Sequence, residues 1–214
     1  MKQLFPFLLI LLLSCSTPES NKIMYGLPFF NSAEFTPEWI TKVNKEYGNI
    51  HTISPFALLN QNGDTITNKN LNGHIYVADF FFTTCPGLCP RLGKSMKTLQ
   101  DSLIKEDVLL VSHTVMPSHD SVAVLKLYAE SNEVVSGKWH LLTGEKEAIY
   151  KLARESYFAD EDFIKTQQAS DFIHTENFIL IDQKGRIRGV YNGTLQLEMI
   201  RLLKHIRLLQ KDTD

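Results

Sequence analysis

Residues 75–91, reading IYVADFFFTTCPGLCPR, limit what this chain can become more than any other stretch. The β-branched and aromatic run over 75–82 has the character of a strand covered on both faces, as central strands of parallel sheets are. It runs straight into Cys85 and Cys89, with Pro86 and Pro90 beside them. Proline is tolerated in the first turn of a helix, where its missing N–H is not needed, so a helix is expected from about Pro86 through residues 94–104. The stretch therefore reads as a strand delivering a dithiol to a helix start.

That placement has chemical consequences. Cys85 at a helix N-terminus would face unsatisfied N–H groups and the positive end of the helix dipole, which favour thiolate over thiol. At about 1.5 Å rise per residue, Cys85 and Cys89 would stand roughly one turn apart on one face. The spacing suits a two-thiolate clamp for a soft metal such as copper, and a disulfide as well.

The two ends bound the rest. Residues 4–13 form an apolar run about half the length of a membrane-spanning helix, so it is expected to be a signal-peptide core. LLSC at residues 12–15 looks like a bacterial lipobox, which makes Cys15 the expected lipidation site and residues 1–14 the leader. The polar residues 15–22 then serve as a tether to one folded body over 23–214. These features imply a membrane-anchored lipoprotein of the cell envelope, facing the periplasm. A net charge of −2 with no basic cluster argues against nucleic acid as a partner. Beyond Cys15, the chain holds only Cys85 and Cys89. That is one tight pair in an oxidising compartment, too few for a disulfide scaffold.

Short β-rich runs are expected at 23–30 and 50–59, with a helical turn or loop across 36–46. Asn60-Gln61-Asn62-Gly63 should turn the second run into a hairpin with 64–67. After the dithiol helix come a strand over 108–115, a helix over 121–131 and a short strand at 139–142. A helix from 145 to about 157 follows, then a hairpin of 177–181 and 186–191, and a closing amphipathic helix over 195–209. The order is that of an α/β, thioredoxin-like fold with extra strands in front and a terminal β-hairpin plus helix.

FFFTTCPGLCP, HTVMPSHDSVAVLKLYA, WHLLTG and DFIHTENFILIDQKGRIRGVYNG, in that order, resemble the SCO/SenC family of thioredoxin-like, membrane-tethered copper proteins. The resemblance implies copper ligands at Cys85, Cys89 and His174. It also implies copper supply to the binuclear copper centre of cytochrome c oxidase, or reduction of that centre's cysteines, with the oxidase's copper-bearing subunit as partner. Two thiolates and an imidazole are a soft set fit for Cu(I) and able to hold Cu(II). Two positions depart from the pattern. Gly87 stands where many relatives carry Asp, and Met116 where they carry an acidic residue. Without a carboxylate beside the dithiol, the thiol pKa values should fall. Met116 is expected to fill space rather than ligate, and Asp120 to cap the helix after it.

The rival to a metallochaperone is a thiol–disulfide oxidoreductase in which Cys85 attacks and Cys89 resolves. A peroxidase on the same scaffold is a weaker third reading, since TTCPGLCPR only loosely imitates the required cysteine, threonine and arginine. His51, His74, His113, His119, His140 and His205 share no ligand spacing and are expected to be structural.

Overall fold

The computed structural model describes residues 26–160 and 175–211. Its centre is a five-stranded sheet in the order β5-β4-β3-β6-β7. Strands β3 (Ile75–Phe81), β4 (Val108–Thr114) and β5 (Trp139–Leu142) run parallel, whereas β6 (Asn177–Ile181) and β7 (Ile187–Asn192) are antiparallel to their neighbours. Every residue of β3 is buried, as expected of the middle strand.

Alternation along β3 divides the core. Ile75, Val77 and Phe81 point to one face, where helices α2 (Cys89–Ser102), α3 (Val122–Ser131) and α5 (Gln196–Leu209) pack through Leu92, Met96, Leu125, Leu202 and Ile206. Tyr76, Ala78 and Phe80 point to the other, covered by α4 (Lys146–Lys151) and the π-helical turn Leu152–Ser156 that continues it. Two crossovers in succession, β3-α2-β4 and β4-α3-β5, advance in one direction across the sheet, so a common hand puts both helices on one face.

The expected front hairpin is present. β1 (Ala57–Leu59) pairs with β2 (Thr65–Thr67), Gly63 takes φ +84°, and the Asn60 side chain accepts the N–H groups of Asn62 and Asp64; the four-residue helix α1 (Asn68–Leu71) follows. The hairpin also closes the outer edge of β5. Leu59 and Thr143 exchange backbone hydrogen bonds, and the buried Gln61 amide donates to Trp139 O at 2.8 Å and accepts from Leu141 N at 2.9 Å.

The strand expected at 23–30 is not found in its described part, which contributes only a single bridge between Phe29 and Glu38. It is instead a strap over β7, because Phe29 lies under two cations, 4.1 Å from Arg188 and 4.8 Å from Arg186. Arg188 also donates to the carbonyls of Leu27 and Pro28. Side-chain stacking and one backbone hydrogen bond, Phe30 N–H to Ile187 O at 3.1 Å, do there what a ladder was expected to do. The run over 50–59 is strand only at its end, and the segment over 36–46 leads into a 3-10 turn, Lys45–Asn49. No helix among the described residues is long and apolar enough to cross a membrane. Residues 1–25, with Cys15, lie outside the described part, as does His174.

Candidate metal and redox site

β3 and β4 are parallel and in register from Ile75–Val108 to Phe81–Thr114. The loops leaving their C-terminal ends therefore emerge side by side: one carries Thr83 through Leu88, the other Met116 through Asp120.

The helix does not begin at Pro86. It begins at Cys89, with Pro90 in its first turn, and Cys85 stands in the preceding loop. The loop folds back so that the Cys89 N–H donates to Cys85 Sγ at 3.4 Å. Cys85 thus does for the helix start what a capping side-chain oxygen ordinarily does. The expected fall in thiol pKa holds for Cys85 and not for the buried Cys89, and Cys85 is not itself in the helix, because the Cys-Pro-Gly-Leu segment reaches the helix end from outside.

The two thiols are free and unlike one another. Cys85 is half-buried, and desolvation works against its thiolate. The N–H groups of Cys89, Gly87 and Leu88 and the Cys89 thiol outweigh that burial and lower its pKa below the ordinary thiol value. Cys89 is 7 % exposed and packs with Phe81, Leu92 and Met96. Burial, then the neighbouring Cys85 and Asp79 charges, push its thiol up to about 12. The outer sulfur is therefore the more readily deprotonated of the two, and the inner one holds its proton more firmly.

Asp79 is a site residue that sequence reasoning passed over. It is 2 % exposed on the same sheet face as Cys89, and burial pushes its carboxyl up to about 7, against the opposing effect of the Ser112 hydroxyl. Ser112 donates to Asp79 Oδ1 and accepts from Trp139 Nε1 at 2.8 Å. A lone acid inside VADFFF was the available signal, since an ionisable group in a central strand is costly unless it has a task or a partner.

Asp120 is not the helix cap. Ser121 caps α3, its hydroxyl accepting from Val124 N, while the Asp120 carboxylate turns inward to Thr83, Thr114 and His119. Met116 is half-buried, its N–H held by Thr114 Oγ1 at 3.0 Å. At Gly87 φ is not positive and an added Cβ would meet nothing within 4 Å, so the backbone does not require glycine there. Among the described residues no three His, Cys, Asp or Glu side chains gather into a metal-sized group. His174, expected as the third ligand, is outside them.

Three of the remaining histidines have hydrogen-bond partners away from the dithiol. His51 reaches Ser156 O at 2.8 Å, His74 pairs with Asp107, and His205 bonds the Tyr191 hydroxyl. His113 is fully buried among Phe80, Phe56 and Tyr157.

The SCO1/SenC family model matches residues 44–208. The chain belongs to the SCO1/SenC family. A SCO1 protein homolog of Bacillus subtilis (strain 168) is 32 % identical over 147 residues, covering 67 % of this chain and 75 % of that protein. Among solved structures, BsSco, described as having a disulfide switch and as a member of the Sco family of cytochrome c oxidase assembly proteins, superposes with a TM-score of 0.65. It is 27 % identical, over 77 % of this chain and 96 % of that one. Arabidopsis thaliana ScoI, solved with copper bound, gives a TM-score of 0.57 at 26 % identity, over 72 % and 97 %. The SCO1/SenC chain is thus a thioredoxin-like α/β protein, as its element order implied.

Proposed function

We propose that this SCO1/SenC protein binds copper through Cys85, Cys89 and His174 and delivers it to the binuclear copper centre of cytochrome c oxidase, acting from the cell envelope on a lipid anchor at Cys15. The observation that carries the reading is the dithiol itself. Two free sulfurs lie at one loop-helix junction, the outer one already favouring the thiolate that a soft ion needs. A copper-bound relative of the same fold and the oxidase-assembly role of BsSco support it. In this reading copper is cargo: Cys85, its pKa lowered by the surrounding N–H groups, is the easier thiol to deprotonate, Cys89 gives up a proton on binding, and the half-exposed position of Cys85 leaves a route for release. The anchor rests on the apolar leader and LLSC alone.

A second reading has support from the same asymmetry. Cys85 thiolate would attack a partner disulfide, forming a mixed disulfide and expelling the partner's thiolate. Cys89, once deprotonated, would then attack Cys85 Sγ, leaving a Cys85–Cys89 disulfide and a partner reduced by two electrons.

Metal analysis and competition titration of the reduced protein separate the two. Copper delivery requires one tightly held copper per chain, with His174→Ala weakening binding strongly and leaving the dithiol reducible. Unchanged copper affinity in His174→Ala would remove the three-ligand site. Vigorous insulin reduction by the metal-free protein would promote the redox reading.

A further inference from the structure

The Asp120 carboxylate is fully buried, and each of its oxygens has two partners. Oδ2 accepts the Thr83 N–H at 3.1 Å and the Thr114 hydroxyl; Oδ1 accepts the Thr83 hydroxyl and lies 2.9 Å from His119 Nδ1. Thr114 Oγ1 in turn accepts the Met116 N–H. One side chain therefore ties together three things: the end of β4, the Met116–Asp120 loop, and the residue two before Cys85. No helix cap needs this arrangement, because Ser121 already caps α3.

We infer that Asp120 is a positioning residue for the dithiol. Its hold on Thr83 sets the path of the Thr83–Leu88 loop, and that path brings Cys85 Sγ under the Cys89 N–H. A site whose outer sulfur sits on a loop cannot rely on the strand or the helix to place that sulfur. Strand β3 ends at Phe81 and α2 begins at Cys89, so the intervening loop is oriented by what grips it. Thr83 is gripped twice by one carboxylate, through backbone and side chain, which fixes both its position and its rotation. A buried carboxylate that accepts three hydrogen bonds from Thr83 and Thr114 is costly to disturb, so the grip is stiff. The inference takes its functional meaning from the proposed copper site but is testable without metal.

The variants are Thr83→Val, which removes the hydroxyl, Thr83→Ser, which keeps it, and Asp120→Asn, which weakens the grip while preserving shape. Ile206→Val, a buried change in α5 that leaves the Thr83–Asp120 hydrogen bonds in place, controls for general loss of stability. Two quantities are read in each: Cu(I) affinity by competition, and the rate at which an uncharged alkylating agent modifies Cys85 in the reduced, metal-free protein, located by peptide mapping. Thr83→Val and Asp120→Asn are expected to lose roughly tenfold or more in affinity, the range seen when supporting contacts to a metal ligand are removed. Cys85 alkylation should slow roughly threefold as its N–H donors drift away. Thr83→Ser should stay within about twofold of wild type, and Ile206→Val should change the melting temperature alone. Equal behaviour of Thr83→Val and Thr83→Ser in both readouts overturns the inference, as does a comparable loss in Ile206→Val. If the wild-type protein takes up no copper, the copper reading fails and the alkylation comparison alone decides the role of Asp120.

Discussion

Asp79 and His113 lie on adjacent central strands, both sealed from water, and face opposite sides of the sheet. Asp79 shares its face with Cys89, has Ser112 as hydrogen-bond donor, and adds to the charge that keeps the inner thiol protonated. Among the described residues His113 has no hydrogen-bond partner on either ring nitrogen, and it is stacked on Phe80 at 5.1 Å between ring centres. Burial alone lowers its pKa to about 3. Asp79 is coupled to chemistry, and His113 is held neutral by packing. Equal burial of two ionisable groups thus says little about function until their partners are known.

The largest expected effect separates the faces outright. Cys89→Ser should abolish stoichiometric copper binding, measured by metal analysis of the reduced protein, while His113→Phe should leave it unchanged. Copper loss in both would mean that the two faces are not independent.

Acid stability comes next. His113 has a folded pKa of about 3, below the usual 6.5, so the unfolded chain takes up the proton first. Stability should be full above pH 6.5 and fall as pH drops from there towards 3, by up to about 5 kcal/mol at the limit. Urea unfolding at pH 7, 5 and 4 should show this acid limb, and His113→Phe should flatten it.

Asp79 has the opposite sign. Its folded pKa, about 7, lies above the usual 3.8, so its protonated form suits the fold below pH 3.8 and stability is lost as pH rises through 7. Asp79→Asn should be more stable than wild type at pH 8, by roughly 2–4 kcal/mol, with the gain disappearing near pH 4. A gain of equal size at both pH values would disconnect it from ionisation.

Gly87→Asp gives the smallest effect. The position is open and not strained, so stability should stay within about 0.5 kcal/mol. The added carboxylate should raise the Cys85 pKa and slow its alkylation at neutral pH by roughly twofold to threefold.

Much of the fold was legible because its signals are local. The apolar run at 75–82, the Gly-turn terminal hairpin and the 3.6-residue stripes of α2 and α5 each announce themselves within a dozen residues. Asn60 through Gly63 announced a turn by chemistry that neighbours cannot override. The strap over residues 27–30 was misread as a strand because its partners, Arg186 and Arg188, lie more than 150 residues away. Asp120 was misread for a related reason. Asp and Ser are both good caps, and which one turns inward depends on Thr83 and Thr114.

From its residues alone, this chain determined a parallel β/α core, a dithiol at the end of its central strand and membership of a copper-protein family. Those follow from periodicity, turn chemistry and motif, all of which act over short range. Only the tertiary structure decided that Cys85 accepts the helix's N–H from outside the helix, that Cys89 is the more firmly protonated partner, and that the Asp79 and Asp120 carboxylates are buried and turned to Ser112 and to Thr83 and Thr114. The ionisation and orientation of a side chain depend on desolvation and on donors brought from distant segments, and those exist only once the chain has packed.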